Sequence, residues 1–170
     1  MQIPFDYRTE IDGLRAVAVL LVVANHAKYP LFSGGFIGVD VFFVISGYLI
    51  TRVILNRELE KKFSIVDFYL RRVRRIVPAL VLVLLFCLPV AYWLMLPNEL
   101  VDFGKAAVGA VFFYSNHVLW RQGGYFDVDA DLQPLLHLWS LAVEEQFYLG
   151  FPLVMIIGLR VRRRILAISL

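Results

Sequence analysis

The stretch IVPALVLVLLFCLPVAYWLML, Ile76 to Leu96, holds no charged residue over a length that reaches across a hydrocarbon core, which takes about 20 helical residues. A helix that is apolar all round at that length needs lipid or a large protein interior around it, so the stretch reads as a transmembrane helix. Pro78, near its start, suits a first helical turn, and Pro89 inside it predicts a kink. Immediately before it, FYLRRVRRIVP (Phe68 to Pro78) crowds four arginines against the apolar edge. The boundary between charge and grease is therefore abrupt.

The rest of the chain fits the same solvent. Hydrophobic residues make up 60% of the 170 residues and mean hydropathy is +0.72, well beyond what one soluble core requires. Net charge is +3, but the cations cluster between apolar stretches, which points to membrane orientation and away from nucleic acid. The single cysteine, Cys87, rules out an intrachain disulfide and sits in an apolar run that favours packing. Asp6, Glu10 and Asp12 ahead of the first apolar run, and no small-x-small pattern after it, favour a retained helix over a cleaved leader.

Apolar segments fall near residues 13–29, 36–55, 76–96, 100–120 and 138–159, with ILAISL (Ile165 to Leu170) after them. The expected fold class is all-α: a polytopic transmembrane bundle of about four to five segments plus the start of another, in a single domain over 1–170. Eight of the seventeen Lys and Arg residues lie between Arg52 and Arg75, against three acids, which assigns that connection and the N-terminus to the cytoplasm. If every segment crossed, RVRRR (Arg160 to Arg164) would fall outside. The segment 100–120, interrupted by Asp102, Lys105, Asn116 and His117, is the one expected to be re-entrant, which returns that run to the cytoplasmic side.

Arg15 and His26 flank the apolar run Ala16 to Ala24. Eleven residues at 100° each bring them to within about 20° of one face, with a rise of about 16 Å. Ionisable side chains at membrane depth are costly and mark a function by default. The next segment, GGFIGVDVFFVISGYLI (Gly34 to Ile50), combines four glycines with Asp40 and Ser46. Gly38, Ser46 and Gly47 read as a small-residue packing seam, and Gly34 and Gly35 as a turn toward the outer face. Asp40 is expected to be a buried carboxylate whose nearest partners in sequence are Arg15 and His26.

Arg71, Arg74 and Arg75 share a helical face at spacings of three and four. With Arg72 they form either an anchor for anionic lipid or a clamp for a phosphorylated donor, since guanidinium forks suit phosphate. In PLLHLWSLAVEEQFYLGFP (Pro134 to Pro152), His137, Glu144 and Tyr148 recur at seven and four residues with Ser140 between them, while Glu145 points about 80° away from His137. Two adjacent acids in an apolar helix require a polar interior or an intramembrane arginine. His117 and Trp120 read as interfacial. No activated serine elbow, metal-ligand cluster or phosphate-binding glycine loop is present in the sequence.

Taken in order, Arg15 with His26, GGFIGVDVFFVISGYLI, FYLRRVRRIVPA and PLLHLWSLAVEEQFYL make the chain, from Tyr7 to Leu159, resemble the amino-terminal half of the membrane-bound acyltransferase family 3, O-acyltransferases of bacterial surface polysaccharides. The resemblance implies a bundle of roughly ten transmembrane helices in the bacterial inner membrane, of which this chain is expected to be a fragment. It also implies a cytoplasmic acyl donor such as acetyl-coenzyme A as co-substrate, with no bound cofactor or metal. The acceptor would be a carbohydrate hydroxyl of O-antigen, exopolysaccharide or peptidoglycan. Partners are then membrane lipid, acyl-CoA and the carbohydrate, with self-association or the missing C-terminal helices covering the open apolar faces.

On that reading His26 is the general base, Arg15 carries charge developing on the donor, and Asp40 holds the cation or fixes the imidazole tautomer. Arg71, Arg72, Arg74 and Arg75 hold the donor's phosphates. Glu144 and His137 complete the acceptor side or a proton path, with Ser140 and Glu145 beside them. The other class is a non-enzymatic membrane protein, an acyl or anion transporter or an inactive relic, because proton-coupled transport uses the same residue types.

Overall fold

The computed structural model describes residues 8–59, 63–122 and 133–168 and divides into two compact units, Met1–Phe63 and Ser64–Leu170. The described elements are helical. Asp6, Tyr7, Ser169 and Leu170 lie outside the described residues.

The first unit is a helical hairpin. Helix α1 (Thr9–His26) opens with Glu10 and Asp12 in its first turn, where the helix dipole favours acids. It ends in a Schellman motif: the Tyr29 amide donates to Ala24 O at 3.1 Å and the Lys28 amide to Asn25 O at 2.9 Å, with Lys28 in the left-handed region at φ 55°. A short 3-10 turn (Pro30–Phe32) and the turn through Gly34 and Gly35 lead into α2 (Ile37–Leu59). The two helices approach backbone to backbone. A Cβ on Gly35 would strike Leu21 O, and one on Gly38 would strike Ala18 O and come within 2.8 Å of Val22 Cγ2. Ala18 is buried in this seam, so Gly38 serves the close packing that the sequence predicts, and Gly35, read from the sequence as a turn residue, joins it.

The second unit is built on α3 (Ile65–Leu94), capped by Ser64, whose hydroxyl accepts from the Asp67 amide at 3.2 Å. The helix begins well before Ile76. Pro78 is therefore an interior residue like Pro89 and not an entry residue, and the arginines lie on the same helix, as their spacing predicts. At 30 residues α3 rises about 45 Å, so its charged first third extends past a hydrocarbon core of about 30 Å.

Segment 100–120 does not form one helix. It divides into α4 (Pro97–Val111) and α5 (Ser115–Arg121), about 22 and 10 Å long, each too short to cross. The break is a second Schellman motif, with Phe113 at φ 53° and the Tyr114 amide donating to Gly109 O at 2.8 Å. Gly109 lets the chain fold back, since a Cβ there would lie 3.0 Å from both Ser115 Cα and Val118 Cγ2. Helix α6 (Leu138–Ile168) then runs without interruption through Arg160–Arg164 and through the described part of ILAISL. Leu84, Ala91, Phe103, Ala107, Leu119 and Leu138 centre the core of this unit, with Cys87 packed at its edge as a free thiol.

Among the described residues, three helices are long and apolar enough to span a membrane: Ile37–Glu58, Ile65–Leu94 and Leu138–Val161. Leu82, Leu85, Phe86 and Trp93 leave one side of α3 apolar and exposed, a surface that water does not tolerate at this length. This is an all-α membrane fold.

Candidate active site

In the first unit the decisive geometry surrounds His26. It is the last residue of α1 and exposed, and its Nδ1 lies 2.8 Å from Val22 O one turn back. A carbonyl oxygen only accepts, so this bond places the proton on Nδ1 and leaves the Nε2 lone pair outward in the neutral ring. A backbone carbonyl thus sets the tautomer that Asp40 was expected to set.

Asp40 itself is not buried. It lies on the exposed face of α2, and the Arg15 guanidinium pairs instead with Asp12 at 3.9 Å, one turn away, and sits 5.8 Å from the centre of the Phe42 ring. The local i,i+3 pair is available from α1 alone, whereas Asp40 faces away from the seam. Arg15 and His26 share the side of α1 that carries Ala18 and Val22, as their spacing predicts. About 16 Å of helix separates them, so one small reacting group does not touch both.

Asn25 was not singled out from the sequence. With its amide nitrogen turned to the loop, it donates to Phe32 O at 3.2 Å and Ser33 O at 3.0 Å and ties the connecting turn to the residue beside His26. Of the two glycines in the turn, Gly35 is tightly packed and Gly34 has open space around it. Ser46 is buried in α2, and Gly47 O accepts from the Thr51 hydroxyl at 2.8 Å.

The second unit separates the four arginines. Arg71, Arg74 and Arg75 are exposed on one face of α3. Arg72 turns toward α6, where its guanidinium lies 3.7 Å from the centre of the Tyr148 ring and 5.6 Å from that of Phe68. Tyr148 is buried and donates its hydroxyl to Glu144 Oε1, and Tyr69 donates to Leu149 O at 2.7 Å, so α3 and α6 are bound together by aromatic and polar contacts. Arg72 also attracts the Glu145 carboxylate, which Glu144 repels. Glu145 Oε1 is buried and has no hydrogen-bond partner among the described residues. Arg72 is the arginine that packs beside the two adjacent acids of α6.

His137 lies in the turn before α6, exposed, and its carbonyl accepts from the Ser140 hydroxyl at 3.1 Å. Glu144 is engaged by Tyr148 on the same helix. Two residues outside the predicted set hold α6 to its neighbours: buried Ser115 donates to Leu138 O at 2.9 Å, and Gln146 donates to Phe113 O at 2.8 Å and to Asn116 Oδ1 at 3.0 Å. A lone glutamine between acids and aromatics in an apolar helix was the available signal for the second. Among the described residues no group of three or more His, Cys, Asp or Glu is placed to hold a metal.

The profile of the family described as "Acyltransferase domain" matches residues 8–170, nearly the whole chain. The chain belongs to this acyltransferase family. O-acetyltransferase OatA of Staphylococcus aureus is 43% identical over 151 residues, covering 87% of this chain and 24% of that protein. Peptidoglycan O-acetyltransferase OatA of Listeria monocytogenes is 40% identical over 156 residues, covering 91% of this chain and 25% of the relative. The putative peptidoglycan O-acetyltransferase YrhL of Bacillus subtilis is 38% identical over 162 residues, with 92% and 25% covered. This acyltransferase chain therefore spans about a quarter of the length of the curated relatives it matches. No solved structure matches it. The family is one of enzymes that transfer acyl groups, and its members similar to this chain are O-acetyltransferases.

Proposed function

We propose that this chain supplies the general base and the donor-binding arginines of a membrane O-acetyltransferase that moves an acetyl group from a cytoplasmic acyl-CoA to a hydroxyl of a cell-wall glycan, peptidoglycan in the first instance. The observation that carries the reading is the Nδ1 contact of His26 with Val22 O, which leaves Nε2 as an exposed base at the end of α1. In the transfer, Nε2 takes the proton of the acceptor hydroxyl as its oxygen bonds to the thioester carbonyl carbon. The carbon–sulfur bond breaks, the acetyl ester is formed, and the imidazolium proton goes to the departing thiolate. The balance needs no covalent enzyme intermediate.

Arg71, Arg74 and Arg75 are three exposed forks on one face, suited to the phosphates of a nucleotide-bearing donor. The Lys and Arg excess between Arg52 and Arg75 favours the cytoplasm for them and for the N-terminus. With α4 and α5 too short to cross, Arg160–Arg164 on α6 returns to the same side, which removes the conflict in the charge pattern. Arg15, on the first turns of α1, then lies toward the donor and His26 toward the acceptor. Peptidoglycan, not O-antigen, is the acceptor favoured by the relatives' names, and the cell membrane is the location.

Release of coenzyme A from acetyl-CoA by the full-length protein in proteoliposomes tests this reading. Release that depends on added glycan acceptor is expected. Acetate passage without glycan-dependent release would assign the protein to transport instead.

A further inference from the structure

We propose that the cavity between the C-terminal end of α3, helices α4 and α5 and residues 133–135 is a glycan subsite, the place where the acceptor strand rests. The proposal rests on the acyl-transfer reading for its ligand class, but its geometry stands apart from the residues used there. The cavity measures about 550 Å3, within the ~300–1,000 Å3 typical of small-ligand sites and far too roomy for a bare ion.

Its polar wall is made of two carboxylates and two amides and is richer in acceptors than in donors. Glu99 uses Oε2 on the Leu96 amide at 2.9 Å, Asp102 uses Oδ1 on Lys105 Nζ at 2.7 Å, and Gln122 spends Nε2 on Asp102 O at 3.0 Å. What these bonds leave over is mainly acceptor oxygen, the second carboxylate oxygens of both acids and the amide oxygen of Gln122, beside the amide N–H donors of Gln122 and Gln133. Gln133 adds a fourth, because its Oε1 is buried with no hydrogen-bond partner among the described residues. A buried acceptor without a donor is costly, and a ligand that brings donors recovers that cost. The remaining wall is apolar, with Phe103, Leu119 and Pro134.

Hydroxyl donors on one edge and a carbon-rich face on the other describe a pyranose. A phosphorylated donor is excluded by charge, since Glu99 and Asp102 line the space and the cation Lys105 is already matched to Asp102. Position agrees as well. Met95 lines the cavity just past the end of α3, about 35 Å along the helix from Arg72, so the acceptor-rich cavity and the arginine cluster occupy opposite ends of one spanning helix.

The experiment measures binding of a muramidase-released, unacetylated peptidoglycan glycan fragment to the full-length protein by titration calorimetry, alongside coenzyme A release. Gln133→Leu removes a buried oxygen that has no donor, so the protein should remain folded while glycan affinity falls about tenfold, the loss of one hydrogen bond in a desolvated site. Pro134→Trp, on the exposed rim, fills the cavity without touching the core and should lower glycan affinity by at least the same factor. The KM for acetyl-CoA should be unchanged in both. Wild-type glycan affinity in Pro134→Trp, or an equal loss of donor affinity in either variant, overturns the proposal, as does competition for the site by simple cations. Should Gln133→Leu fail to fold, the Pro134→Trp result decides. Glycan binding that both variants weaken, in a protein that never releases coenzyme A, would sink the acyl-transfer reading and keep the subsite.

Discussion

Gly34 and Gly35 are neighbours in sequence with opposite expectations when each is changed to alanine. A Cβ at Gly34 meets nothing within 4 Å, whereas one at Gly35 strikes Leu21 O and lies 2.9 Å from Asn25 Cβ. Carbon atoms rest at about 3.5–4.0 Å, so α1 and the turn must part by close to 1 Å for Gly35→Ala to fit. Overpacking of this kind costs about 1–3 kcal/mol. The atoms that must move belong to the Leu21 carbonyl and to Asn25, whose two donations to Phe32 O and Ser33 O are worth about 1 kcal/mol each and are strained by the same shift. The expected loss for Gly35→Ala is about 2–4 kcal/mol, against less than about 0.5 kcal/mol for Gly34→Ala. Thermal unfolding of the full-length protein in detergent, followed by size-exclusion fluorescence, reads the difference, and acetyl transfer should fall with Gly35→Ala because His26 adjoins the displaced residue. Equal stability of the two variants would refute the close-packed seam.

Lys28 and Arg72 give two more tests. Lys28 occupies the left-handed position that ends α1, so Lys28→Gly should raise stability by about 1 kcal/mol in the same unfolding assay. Arg72→Lys keeps the charge but loses the planar stack on Tyr148, worth about 0.5–2 kcal/mol, and should lower stability with little change in the KM for acetyl-CoA. Arg74→Gln should do the reverse, raising that KM and leaving stability alone, because Arg74 is exposed.

What the sequence made legible depended on whether one helix decided the matter. The spanning stretch Ile76 to Leu96, the seam position of Gly38 and the common side of Arg15 and His26 follow from length and period alone, and each recurs in the structure. Periodicity also set Arg72 about 100° from Arg71, yet only the packing of α3 on α6 says what it faces, so its grouping with the other arginines as a phosphate ligand gives way to a stack on Tyr148. Asp40 shows the same limit from the other side. A carboxylate in an apolar run must find water or a partner, but the run does not say which, and here Arg15 is held by Asp12 on its own helix. The break at Phe113 was foreshadowed by polar residues, whereas its Schellman geometry on a phenylalanine carries no sequence signature, because glycine is the residue that normally announces it.

Replacement of His26 by alanine in the full-length protein, with O-acetylation of the cell-wall glycan and membrane abundance measured together, tests the central claim most directly. Loss of glycan acetylation at normal abundance is the predicted result. Acetylation at the level of the unaltered protein would contradict the account, since no other described residue of the first unit is a histidine.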